Sequence, residues 1–196
     1  ALNTAQIVAI SDDIVGLNTR QIAALTTAQA AVLTSYSIDA LTTIQLGGLS
    51  TAALAVLSTD TIAAISGDIV GLNTRQIAAL TTAQAAVLTS YSADVLTSTQ
   101  LAALESTDAA VLTTLVVDQL DVLQLGALST AALAALNTAQ IVAISDDIVG
   151  LNTRQIAALT TAQAAVLTSY SIDALTTIQL GGLSTAALAV LSTDTI

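Results

Sequence analysis

An eight-residue repeat runs through the whole chain and limits the folds that are open to it. Its first position is Leu or Ile in every unit, beginning at Leu2 and returning at Ile10, Leu17 and Leu25. Fifteen octads and two heptads, the latter starting at Ile10 and Ile65, add up to the 134-residue distance after which the sequence repeats itself. A short period kept in register over this length is typical of solenoids, in which each repeat packs on its neighbours.

The sequence also repeats over longer distances. Residues 1–62 are identical to residues 135–196, and residues 13–37 recur as residues 68–92. We therefore expect residues 1–196 to form a single continuous repeat array. Neither end carries the polar capping repeat that closes a solenoid, so the pattern predicts that the chain is a window of a longer protein.

Within the octad, the polar residues follow a helix-capping pattern. Position 2 is Ser, Thr, Asn or Asp in every unit except the one that carries Glu105, and these four residue types are preferred helix N-caps. Position 5 is often Gln, so that Thr26 and Gln29, for example, match the capping box S/T-x-x-Q. The apolar residues at positions 1 and 6 flank this box in the arrangement of a hydrophobic staple.

The spacing of the apolar positions decides between fold classes. Positions 1 and 6 of successive octads do not form one stripe on a continuous α-helix. The pattern therefore predicts an all-α solenoid of very short capped helices, one helix of about five or six residues per eight-residue repeat, stabilised by stacking. We expect a bend at the small residues of positions 7 and 8, eased by glycines such as Gly16 and Gly71.

A β-solenoid is the alternative fold, since Thr, Val and Ile favour strands. In a strand, however, positions 1 and 6 would lie on opposite faces.

The composition argues against most catalytic and cofactor chemistry. The chain has no His, Cys, Met or Lys. Its Ser and Thr hydroxyls therefore lack the His base that activates a nucleophile, and we expect no enzyme, no catalytic residue and no cofactor. Three Arg against 14 acidic residues give a net charge of −11, which argues against nucleic acid as a partner. Thr, Ser, Gln or Asn interrupt the apolar residues every few positions, so we expect no membrane span.

Two pairs of adjacent carboxylates, Asp12–Asp13 and Asp146–Asp147, are candidates for a Ca²⁺ site. Each pair follows a serine and is expected in the first turn of a helix, where negative charge is favourable. Ca²⁺ needs six or more oxygen ligands, and no EF-hand or glycine-rich nonapeptide loop accompanies the pairs. We therefore predict no metal site, with Ca²⁺ binding as the alternative.

The rare Arg and Tyr residues all occupy position 4 of their octads. This position lies away from positions 1 and 6, so these side chains should face outward. If two octads made one turn, each Arg would lie beside a Tyr at cation–π distance. Two interpretations stay open for Arg20, Tyr36, Arg75, Tyr91, Arg154 and Tyr170: a solvated face with an incidental pair, or lateral contacts between neighbouring chains. Asp60 and Asp194, also at position 4, are candidate partners for Arg across such a contact.

The octads Leu-Asn-Thr-Arg-Gln-Ile-Ala-Ala (residues 17–24) and Leu-Thr-Thr-Ala-Gln-Ala-Ala-Val (residues 25–32) resemble repeats of giant bacterial exoproteins. Those repeats read Leu-(Thr/Ser)-Thr-x-Gln-(Ile/Val)-x-Ala, and the proteins are often labelled as large surface proteins for haem utilisation or adhesion. The resemblance covers the entire chain. It implies an extracellular or cell-surface fibre, stalk or adhesive spacer that assembles with other copies of itself.

The resemblance does not extend to haem. The chain has no His, Met or Cys to serve as an axial ligand, which leaves only its three Tyr residues. Two further functions stay open. One is a ligand-binding adhesin, disfavoured as a tight recognition module because aromatic residues make up only 2% of the chain. The other is an ice-binding surface formed by regular rows of Thr, although helix capping also accounts for those threonines.

Overall fold

The computed structural model describes residues 2–191 and confirms the helical prediction. Every repeat unit that is fully contained in this part of the chain forms one helix of three to six residues. The described residues contain no β-strand, so the β-solenoid alternative is wrong. Two compact units are present, residues 1–96 and residues 97–196, which we term the N-terminal half and the C-terminal half.

The α-helices of the N-terminal half are Thr4–Ala9, Thr19–Ala23, Thr27–Ala30, Ser35–Asp39, Thr43–Leu46, Thr51–Ala55, Thr59–Ala64, Thr74–Ile77, Thr82–Ala85 and Ser90–Val95, and its 3-10 helices are Ser11–Gly16 and Ile69–Gly71. The α-helices of the C-terminal half are Ser98–Leu101, Ser106–Ala109, Thr114–Asp118, Val122–Ala127, Thr130–Ala135, Thr138–Ala143, Thr153–Ala158, Thr161–Ala164, Ser169–Ala174, Thr177–Leu180 and Thr185–Val190, and its 3-10 helix is Ile148–Gly150.

Three consecutive repeat units make one coil of the solenoid. In the N-terminal half, the helix Ser35–Asp39 contacts Thr59–Ala64, three units further along the chain. In the C-terminal half, Ser106–Ala109 contacts Thr130–Ala135 in the same way. A coil of three octads therefore has three faces, and a helix stacks on the helix 24 residues away, or 23 where a heptad intervenes. The assumption of two octads per turn, on which the predicted contact between Arg and Tyr depended, is therefore wrong.

Positions 1 and 6 fill the interior, as the sequence predicts. Leu72 at position 1 and Ile77 at position 6 are each only 2% exposed, and Ile62 is fully buried. Burying one such side chain contributes about 1.5–3 kcal/mol. Helices of four to six residues are too short to be stable alone, so this stacked core supplies the stability that they lack.

The chain bends at positions 1 and 2, and not at positions 7 and 8 as expected. Ala78 at position 7 keeps helical angles (φ −66°, ψ −16°). Leu72 (φ −72°, ψ 134°) and Asn73 (φ −79°, ψ 168°), at positions 1 and 2, are both extended. An N-cap residue requires extended angles of this kind. The capping residue, together with the Leu before it, therefore makes the corner.

The glycines allow close approach of backbones and are not needed for a special backbone angle. Among the described residues no glycine has a positive φ. A Cβ at Gly71 would lie 2.6 Å from the carbonyl oxygen of Thr43 and 2.7 Å from its Cα, in the coil below. A Cβ at Gly150 would lie equally close to Val122. Each of these glycines ends a heptad, where a 3-10 helix replaces the α-helix because one residue is missing.

Candidate functional site

The predicted capping boxes are present in both halves. The backbone N–H of Asn73 donates to Gln76 Oε1 at 2.7 Å, and the N–H of Gln76 donates to Asn73 Oδ1 at 3.1 Å. The same reciprocal pair joins Asn152 and Gln155. Glu105, the exception in the sequence, makes no side-chain capping bond.

In the three heptads the predicted serine cap at position 2 is wrong, because their 3-10 helices follow Ile10, Asp68 and Asp147, which make no side-chain capping bond. In the octads with Ser, Thr, Asn or Asp at position 2, this position is a local helix signal, as predicted.

The position-5 glutamines have a second role that sequence reasoning missed. Gln76 Nε2 donates to the carbonyl oxygens of Leu46 and Leu49, both at 2.8 Å. Leu46 ends one helix, where its carbonyl oxygen also accepts from the backbone N–H of Leu49 at 3.1 Å, and Leu49 lies at the following corner in the preceding coil. Gln155 repeats the arrangement in the C-terminal half, with Leu125 and Leu128 as acceptors. Each such glutamine therefore joins two coils.

We term this arrangement the glutamine rung: one position-5 Gln whose Oε1 accepts from its N-cap and whose Nε2 donates to two carbonyls of the preceding coil. Both bonds of the amide nitrogen are seen at Gln45, Gln76, Gln84, Gln140, Gln155, Gln163 and Gln179. These side chains are buried, where a polar group without a partner costs about 1–3 kcal/mol. The signal in the sequence is the frequent Gln at position 5, because the capping box uses only its Oε1 and leaves the amide nitrogen to find acceptors elsewhere.

All six residues predicted for lateral contacts are exposed, and the three Tyr side chains are 59–65% exposed. The predicted contact between Arg20 and Tyr36 is absent, because these residues lie on different faces of the coil. The helix that carries Arg20 contacts Thr43–Leu46, whereas the helix that carries Tyr36 contacts Thr59–Ala64. A separation of two units cannot bring side chains together when each coil takes three units. The same holds for Arg75 with Tyr91 and for Arg154 with Tyr170.

The three faces of the N-terminal half differ in charge. We number them by their units: the first face holds the units that begin at 2, 25, 49 and 72, the second those at 10, 33, 57 and 80, and the third those at 17, 41, 65 and 88. The second face carries four of the six acidic residues of this half: Asp12, Asp13, Asp39 and Asp60. The third face carries Asp68, Asp94 and Arg20, and the first face carries only Arg75.

The acidic pairs lie at the heptads. Asp12 and Asp13 are exposed in the first turn of the 3-10 helix Ser11–Gly16, and Asp147 precedes the 3-10 helix Ile148–Gly150. Within the described residues, no three or more His, Cys, Asp or Glu side chains are grouped so that they could hold a metal ion. Asp194, a candidate partner for Arg, lies outside the described residues.

Short capped helices, three-sided coils and glutamine rungs define this chain as an all-α solenoid built from tandem repeats. Its sequence is similar to the family described as the ALTTAQ repeat over residues 11–43, 117–150 and 145–177. The matches fall in both halves and support the same class of protein. Comparison with the curated proteins gives no match.

No helix in the part of the chain that the structure covers is long and apolar enough to cross a membrane.

Proposed function

We propose that this chain is a structural repeat segment of an extracellular or cell-surface bacterial fibre, stalk or adhesive spacer that associates with other copies of itself. The glutamine rung is the observation that carries the proposal. Each coil offers carbonyls to the next coil and amide donors to the one before, as at Gln76 and Gln84 in successive units. Coils can therefore be added without any new kind of contact, which suits a spacer of adjustable length.

We also propose that the chain is not an enzyme and holds no cofactor. Outside the heptads, the hydroxyls at position 2 are engaged as helix caps; Thr81 Oγ1, for example, accepts from the backbone N–H of Gln84 at 3.3 Å. Catalysis by Ser or Thr needs a base within hydrogen-bond reach, and the chain has no His to provide one.

Exact sequence repetition makes a clean test of the spacer function possible. Because residues 1–62 equal residues 135–196, one or two further copies of residues 63–196 can be appended with every junction native in sequence. Small-angle X-ray scattering should show the maximum dimension increasing by a constant amount per copy. A matched control carries the same added copy preceded by four extra residues, which breaks the register of the octads and should interrupt this constant increase.

Two outcomes would contradict the proposal. A maximum dimension that grows only as the cube root of chain length indicates a globule. Immunogold labelling of producing cells that finds the repeats only inside the cell excludes a surface fibre.

An ice-binding surface is a second candidate, favoured by one observation. On the first face of the N-terminal half, position 3 is an exposed threonine in four successive coils: Thr4, Thr27, Thr51 and Thr74. Measurement of thermal hysteresis on the purified chain tests this candidate, and freezing without hysteresis rejects it.

A further inference from the structure

Arg20, Ile44 and Asp68 are three of the four position-4 residues that follow one another up the third face of the N-terminal half; the fourth, Tyr91, lies in the next coil and is 59% exposed. Arg20, Ile44 and Asp68 belong to successive coils, because Thr19–Ala23 contacts Thr43–Leu46 and the latter contacts the 3-10 helix after Asp68. Arg20 is exposed, Ile44 is 74% exposed and Asp68 is half-buried. Packed helices lie about 8–10 Å apart. A positive and a negative charge are thus placed about one helix spacing to either side of an exposed apolar side chain.

The surroundings of Ile44 make it project from the face. Gly47 and Gly48 follow in the same unit, and Gly71 lies in the coil above. A Cβ at Gly48 would lie 2.6 Å from Thr19 Cγ2, so there is no room for a larger side chain there.

The distribution of charge favours this face for association between copies. The chain as a whole carries −11, so two copies repel each other in most orientations. The second face concentrates that charge with four carboxylates and no Arg, whereas the third face has one Arg and two Asp. A row that reads positive, apolar, negative is self-complementary under a two-fold rotation about its centre.

We propose that the third face of the N-terminal half pairs with the same face of a second copy. The two copies run antiparallel about a two-fold axis at Ile44, so that the two Ile44 side chains meet and Arg20 of each copy faces Asp68 of the other. This inference rests on the self-association in the proposed function and names the surface and partner. Buried apolar contact at the centre supplies affinity, and the flanking charges fix the antiparallel register.

Arg75 provides a matched control. It lies in the same local sequence as Arg20, Asn-Thr-Arg-Gln-Ile, and at the same octad position. Its own face, however, has Ala52, Ala28 and Ala5 at position 4 of the coils below, with neither a large apolar side chain nor a carboxylate. R20D and R75D change the net charge equally, so a difference between them reports the local pairing.

Sedimentation equilibrium of the 196-residue chain in about 0.15 M salt tests the pairing. We expect the wild type to dimerise, and R20D and D68R each to raise the dimer dissociation constant about tenfold, because each variant alone places two pairs of like charges across the axis. R75D should leave the constant within about twofold. I44S should weaken the dimer at least about tenfold, since the central contact loses the apolar side chain of both copies.

An equimolar mixture of R20D and D68R tests most directly whether residue 20 of one copy faces residue 68 of the other. In a mixed dimer, the carboxylate introduced in one copy faces the guanidinium introduced in the other, and the remaining pair is the native Arg20 with Asp68. We expect the mixture to recover wild-type affinity, and circular dichroism of each variant alone confirms that it is folded.

The pairing is overturned if the wild type stays monomeric up to about 1 mM, if R75D weakens association as much as R20D, or if the mixture fails to recover. A contact between the first and second faces would show itself as the larger effect at Arg75. A chain that lengthens with added copies but stays monomeric refutes this inference and leaves the spacer function standing.

Discussion

Residues 13–37 and residues 68–92 have the same sequence and lie in the same half, yet their environments differ. Gln21 and Gln76 both complete a capping box, with N-cap N–H to Oε1 distances of 2.8 and 2.7 Å. Gln21 is exposed, whereas Gln76 is 1% exposed and donates to two carbonyls of the coil below. No coil of the described chain precedes Gln21. The cap thus forms from residues of a single octad, whereas the glutamine rung forms only where one coil stacks on another.

The glycines of the two copies show the same contrast. A Cβ at Gly16 would meet nothing within 4 Å, whereas a Cβ at Gly71 would collide with the backbone of Thr43. Among the described residues no coil lies below Gly16, whereas the coil below Gly71 brings the backbone of Thr43 against it.

The two copies also place equivalent residues on different faces of the coil. They are seven units apart, and seven is not a multiple of three, so Arg20 lies on the third face and Arg75 on the first. Repetition in the sequence thus distributes the same residues around the coil and gives each a different neighbour.

Substitution of the glutamines should give the largest difference in stability between the two copies. Q76E replaces the amide donor by an acceptor that faces the carbonyls of Leu46 and Leu49, in a buried site. We expect a loss of about 3–5 kcal/mol in the free energy of unfolding, measured by urea denaturation. Q21E keeps its acceptor for the capping box and is exposed, so it should cost less than about 0.5 kcal/mol. Equal losses would mean that the inter-coil bonds contribute nothing.

Substitution of the glycines should give a difference in stability of intermediate size. G71A forces a Cβ to within 2.6–2.8 Å of Thr43, and we expect a loss of about 1–3 kcal/mol from the displaced backbone. G16A meets open space and has no positive φ to lose, so it should be neutral or stabilising by about 0.4–1 kcal/mol. Thermal unfolding of the two variants measures the difference, and a stabilising G71A would show that the coils are not in close contact there.

Removal of a helix cap should have the smallest effect on stability, and the effect should be the same in the two copies. Thr26 and Thr81 each accept a hydrogen bond from the N–H of the following Gln at 3.3 Å. We expect T26A and T81A each to cost about 1 kcal/mol, with equal loss of helical circular dichroism. Unequal costs would show that the cap also depends on the coil in which it lies.

The sequence by itself determined what is contained within a few consecutive residues. The capping box spans positions 2 to 5, so its hydrogen bonds, the helical fold class and the exception at Glu105 could all be predicted. The outward direction of position 4 and the burial of positions 1 and 6 followed from the same local helix.

Only the tertiary structure decided what depends on the number of units in one coil, which results from the angles of three successive corners. Each corner is set by the extended angles at positions 1 and 2 and by how closely the coils pack, and a small change in these angles would give another number of units per coil. That number determines whether Gln76 reaches Leu49, whether Arg20 lies beside Tyr36 or Ile44, and which glycine must lack a Cβ. These pairs are separated by 16 to 28 residues, so no pattern within one octad can specify them.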